Sequence, residues 1–91
     1  MNPAHTALSG AVDITMLLPI LNSAMIEARR TRGFRLQLDC AAVEDFTSQA
    51  LAEISQARRA MRQHGADLML MQCSGWIRSR MIHPMFEELC V

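Results

Sequence analysis

The chain has no lysine; its nine basic residues are all arginine, and nine acids bring the formal net charge to zero. That balance argues against binding to nucleic acid or to an anionic membrane surface, both of which need a surplus of positive charge. The pairs Arg29-Arg30 and Arg58-Arg59 have acids nearby in the sequence and read as solvated helix faces. Cysteines are few and odd in number (Cys40, Cys73, Cys90), with no C-x-x-C spacing. Free thiols are expected from that set, with no disulfide framework and no zinc site. His5, His64 and His83 are equally scattered and add no ligand cluster. Four isolated glycines (10, 33, 65, 75) make neither a dinucleotide fingerprint nor a Walker loop, so no cofactor is expected. Long apolar runs are missing too. The most apolar stretch, Ile14 to Ile26, is too short for a membrane span and is broken by Pro19, Asn22 and Ser23, so direct membrane insertion is not expected. "MNPAHTALSG" lacks a basic region followed by an apolar run, which argues against a secretory signal and for a cytoplasmic protein.

Catalytic constellations are as sparse as ligand clusters. A nucleophile needs a base within hydrogen-bond reach, and no histidine is suggestively spaced from Ser48 or from a cysteine. Glu44 and Asp45 are adjacent, a poor arrangement for an acid and a base facing each other across a cleft. A non-enzymatic protein is expected.

What is present is a strong periodic pattern. Apolar residues make up 51% of 91 residues, enough for the core of one domain and too few residues for two. Leu17, Leu21, Ala24 and Ala28, with Leu18 and Met25 beside them, predict a helix from Ile14 to Arg30. Asp13 or Thr15 can cap its start, Pro19 falls near its first turn, and Gly33 stands where a C-terminal cap belongs. "FRLQLD" (34–39) alternates as a strand with one buried and one wetter face. A loop follows, then a second helix from about Ser48 to His64, with Ala50, Ile54, Ala57 and Met61 on one face and Gly65 at its end. "DLMLMQ" (67–72) reads as a more buried strand, and a last helix runs from Ser74 to about Ile82, where Pro84 breaks it. "MFEELCV" reads as a C-terminal turn or short helix, and "TALSG" (6–10) as a short first strand. Helices between strands imply parallel neighbours, hence a small α/β layer protein. The eight methionines read as core filler, Trp76 as a packed aromatic, and Cys40 as a small buried residue.

Three segments then stand in order: "ALSGAVDITMLLPIL" (7–21), "LQLDCAAVEDFTSQALAEI" (36–54) and "ARRAMRQHGADLMLMQCSGWIRSRM" (57–81). Together they resemble the STAS domain family, the fold of the bacterial anti-sigma-factor antagonists, over about residues 7–89 of a single domain spanning 1–91. Gly10-Ala11-Val12-Asp13, Leu38-Asp39-Cys40, Phe46-Thr47-Ser48-Gln49-Ala50-Leu51 and Gly65-Ala66-Asp67-Leu68-Met69-Leu70 carry the resemblance. It implies about four mostly parallel strands with three to four helices, the N-terminal strands shortened. An incomplete sheet edge of that kind implies a tendency to form a homodimer. On the same register Ser48 falls on the regulatory, phosphorylatable hydroxyl of the family, with Thr47 a weaker candidate. Thr47 stands where the family usually has Asp, and Ala50 where Gly is usual.

The resemblance implies a partner-binding surface at Asp13, Thr47, Ser48 and Gln49. Its partner would be an anti-sigma factor or related serine kinase, released when Ser48 is phosphorylated, and the process served would be transcription regulation. The front of the chain is also similar to the cytoplasmic STAS subunit of a bacterial phospholipid ABC transporter, which implies docking on an ATPase instead. A third reading is a dimeric structural module without a switch. From the residues alone, either hydroxyl at 47 or 48 can cap the helix, a contribution of about 1 kcal/mol.

Overall fold

A computed structural model describes residues 4–80, 89 and 90. The chain runs β1 (Ala4–Val12), α1 (Ile14–Arg30), β2 (Arg35–Phe46), α2 (Ser48–Gln63), β3 (Asp67–Met71) and α3 (Gly75–Arg80). The three strands form one parallel sheet in the order β1-β2-β3. This is the small α/β layer fold that alternating strand and helix patterns predict. Among the described residues the sheet has three strands where about four are expected. Beside β3 the next position holds an isolated parallel bridge between Leu70 and Cys90, with the Leu70 amide donating to the Leu89 carbonyl at 2.8 Å. The end of "MFEELCV" therefore pairs with the sheet at 89–90. The rest of that segment, together with Ile82 and Pro84, lies outside the described residues.

Both early strands are longer than their alternation suggests. β1 extends the expected 6–10 to nine residues, and β2 runs for twelve, through the stretch expected to be a loop. The register between them explains why. Ala7 pairs with Asp39 but Ser9 with Ala42, and Gly10 pairs with Val43 but Ala11 with Asp45. At each shift β2 inserts one extra residue, as in a β-bulge. Its buried side chains accordingly fall at Leu36, Leu38 and Cys40, spaced by two, and then at Val43 and Phe46, spaced by three. Gly10 sits at the second shift with φ of 69°, a left-handed conformation that favours glycine.

The helices begin and end where side-chain chemistry predicts. Asp13, and not Thr15, caps α1: its carboxylate accepts from the Met16 amide at 3.1 Å. The buried stripe of α1 is Leu17, Leu21, Ala24 and Ala28. Pro19 lies in the second turn, where the helix runs through it without a break. The C-cap of α1 is Thr31, with Gly33 in the following turn at φ of 77°. α2 ends in a Schellman arrangement: the Ala66 amide donates to the Met61 carbonyl at 3.0 Å and the Gly65 amide to the Arg62 carbonyl at 3.1 Å. Ser74 caps α3 by accepting from the Ile77 amide at 3.2 Å.

One face of the sheet holds the core. Leu8 and Val12 of β1, Leu36 and Leu38 of β2, and Leu68 and Leu70 of β3 join the helix stripes in a single buried cluster. Each such side chain taken out of water contributes about 1.5–3 kcal/mol. The alternate positions are exposed at His5, Ala7, Ser9 and Arg35 and half-buried at Gln37, Asp39, Met69 and Met71. Arg58 departs from the solvated face expected of the Arg58-Arg59 pair. It is buried on the same side of α2 as Leu51, Ile54 and Met61, and its guanidinium meets the Asp67 carboxylate at 3.1 Å. Arg30 is exposed as expected and lies 3.6 Å from Glu27.

Candidate functional site

Parallel strands deliver the starts of α1 and α2 to the same end of the sheet. Val12 and Phe46, the last residues of β1 and β2, are direct partners, and the Thr47 amide donates to the Val12 carbonyl at 3.0 Å. The next residue on each chain segment, Asp13 and Thr47, is a helix cap. The four residues singled out by resemblance (Asp13, Thr47, Ser48, Gln49) thus share one end of the molecule, and all four are exposed. Loops beyond the carboxyl ends of parallel strands are where α/β folds commonly place their binding surfaces.

The two hydroxyls are not equivalent. Thr47 Oγ1 accepts from the Ala50 amide at 3.0 Å and its backbone is extended, so Thr47 is the N-cap of α2. Ser48 is the first helical residue; its exposed hydroxyl takes no part in that bond. Below them Ala50 is fully buried, its methyl group part of the core. Spacing alone leaves the cap open between 47 and 48. Backbone geometry gives it to Thr47.

Around these residues lies an open depression of about 270 Å³ lined by Ala11, Asp45, Phe46 and Thr47. Asp45 is half-buried, and its carboxylate accepts from the Phe46 amide at 2.9 Å. The sequence does not bring Ala11 and Asp45 together, because their place depends on the second register shift in β2, where the two become partners. On the first turns of α1, Met16 and Leu18 are 40% and 42% exposed. Trp76, expected to be packed, is 61% exposed at the start of α3. Met61 is core as expected, whereas Met16 is not, and Met81 lies outside the described residues. A larger groove of about 400 Å³, lined by Ala4, Thr6, Ile20, Phe34 and Leu36 among others, opens toward the opposite ends of β1 and β2.

A second grouping is invisible in the sequence. Cys40 on β2, Cys73 just after β3 and Cys90 on the terminal bridge converge, with the Cys90 Sγ donating to the Cys73 Sγ at 2.8 Å. All three are free thiols. A hydrogen bond from Cys73 holds the Cys40 thiol below its ordinary value. The same bond, followed by burial among the effects that raise it, pushes the Cys73 thiol up to about 11. Cys90 is pushed up further still, first by its bond to Cys73 and then by burial.

Among the described residues, no group of three or more His, Cys, Asp or Glu side chains is arranged to hold a metal ion. No described helix is long and apolar enough to cross a membrane. No family model matches the chain, and no curated protein matches it.

Proposed function

We propose that this chain is a non-enzymatic, cytoplasmic protein-binding module of the anti-sigma-factor antagonist type, whose partner is released by phosphorylation of Ser48. The observation that carries this reading is the division of labour at the start of α2. Thr47 makes the cap bond, and the Ser48 hydroxyl stands exposed beside it. A serine free of structural duty can gain a phosphate without loss of the helix start. Transfer of the γ-phosphoryl group of ATP forms the bond to Ser48 Oγ, with ADP leaving and the hydroxyl proton released.

The physics of such a switch is local. The first amides of a helix lack intrahelical partners, and the helix dipole favours negative charge at that end, so the fold tolerates the phosphate. A docked partner does not. About 1.5–2 negative charges placed on the docking surface repel an acidic or apolar patch set against it. Asp13, Thr47 and Gln49, with Met16 and Leu18 alongside, form the surface that the partner covers. That partner is an anti-sigma factor or a related serine kinase.

Ser48→Asp and Ser48→Ala, compared with the unaltered chain, test the reading. Circular dichroism should be unchanged in both, while a captured kinase or anti-sigma factor should be lost from Ser48→Asp and kept by Ser48→Ala. Equal retention by both variants would overturn the switch. Recovery of a transporter ATPase, bound alike by all three, would replace it with the accessory-subunit role.

A further inference from the structure

Three segments far apart in the chain bring their sulfurs to one place. β2 supplies Cys40, which is 1% exposed. After β3, Gln72 takes a left-handed conformation with φ of 62° and turns the chain immediately before Cys73. The parallel bridge to Leu70 holds Cys90 alongside. Cys73 and Cys90 are half-buried and so within reach of small reagents, and their sulfurs lie 2.8 Å apart. That separation is less than an ångström longer than the roughly 2.05 Å of an S–S bond.

We propose that Cys73 and Cys90 are a redox pair, closing reversibly into a disulfide that fastens residues 89–90 to the end of β3. The oxidant is a low-molecular-weight disulfide of the glutathione type. The sulfur of Cys73 attacks one sulfur of that disulfide, forming a mixed disulfide and expelling one glutathione thiolate. The sulfur of Cys90 then attacks the Cys73 sulfur of the mixed disulfide and expels the second. Two protein thiols are oxidised by two electrons, one glutathione disulfide is reduced to two thiols, and the two protons lost by the protein end on the released thiolates. Excess dithiol reverses both steps.

Cys40 lies beside the pair, its own thiol donating to the Leu38 carbonyl at 3.5 Å. Its burial keeps it from taking the external disulfide itself. Among the charged groups, Arg78 of α3 favours the thiolates of Cys73 and Cys90, and Asp39 of β2 disfavours that of Cys40. The closed bond would enclose α3 in the loop between positions 73 and 90, adding a covalent tie where the described sheet has only a single bridge.

The test uses the unaltered protein and glutathione disulfide. After oxidation, remaining thiols are alkylated under denaturing conditions and the chain is cut after arginine without reduction. Arg35, Arg62, Arg78 and Arg80 place the three cysteines in three different peptides, so each pairing has its own mass. The expected product is monomeric on a non-reducing gel, joins the Cys73 and Cys90 peptides, leaves Cys40 alkylated, and reverts with dithiothreitol. Its thermal midpoint should lie several degrees above that of the reduced protein. A disulfide involving Cys40, a cross-linked dimer, a persistent glutathione adduct, or a lowered midpoint would each overturn the proposal.

Discussion

Thr47 and Ser48 carry the same functional group one residue apart, and alanine substitution separates their roles. Thr47→Ala removes the acceptor of the Ala50 amide and should cost about 1 kcal/mol in urea unfolding, the usual loss for a helix cap. Ser48→Ala should change stability by less than about 0.5 kcal/mol, as expected for an exposed position outside any cap. If the larger loss falls on Ser48, the cap has been given to the wrong hydroxyl. Which of two adjacent hydroxyls caps a helix depends on where the backbone leaves the extended conformation, and spacing does not contain that information. For Arg58 the sequence does contain the needed signal. Position 58 lies four residues from Ile54, seven from Leu51 and three from Met61, on the buried stripe. Reading Arg58-Arg59 as a charge pair hides that periodicity.

Elements follow the sequence where the period stays constant. The bounds of α1 match those expected, and α2 differs by one residue at its end, because the 3.6-residue stripe runs unbroken through both. β2 was legible only in its first half. Each added residue changes the spacing of buried side chains from two to three, so the stretch from Ala41 to Asp45 looks like a loop although it stays in the sheet. At the end of α2, Gly65 has φ of 76°, and a methyl group built there would meet nothing within 4 Å. Gly65→Ala should therefore destabilise through backbone conformation alone, by about 1 kcal/mol, with no repacking visible in a structure of the variant. Asp67 opens β3 and serves both the Arg58 guanidinium and the Leu68 amide, so Asp67→Asn should cost about 1–3 kcal/mol by chemical denaturation. A loss no larger than that of an exposed substitution would show that the ion pair carries no net stability.

Across the whole molecule, parallel topology does what no local pattern reveals. It sets Asp13 beside Thr47 and gathers Cys40, Cys73 and Cys90, whose wide spacing in the sequence reads as scatter. The thiol group has a consequence for stability, since the chain contains no lysine and no tyrosine. Between pH 9 and 11 its thiols are the side chains that titrate, because arginine stays charged. Folded Cys73 keeps its proton to about 11, against 9.0 for an ordinary thiol. Stability from this group is full below pH 9 and is lost as pH rises through 11, because the unfolded chain ionises first. Cys90 acts in the same direction, while Cys40, lowered, acts in the opposite one, its contribution growing as pH rises toward 9.0. The urea midpoint of the reduced protein should thus fall from pH 9 to 11, and fall less steeply in Cys73→Ser.

The proposed switch at Ser48 is tested most directly by capture of the protein with its bound partner from a native lysate, followed by intact-mass and site analysis of the bound and unbound pools. The expected outcome is an anti-sigma factor or serine kinase in complex with unmodified protein, and an unbound pool one phosphate heavier at Ser48. Phosphate on Ser48 within the complex, or an unbound pool carrying none, would contradict it.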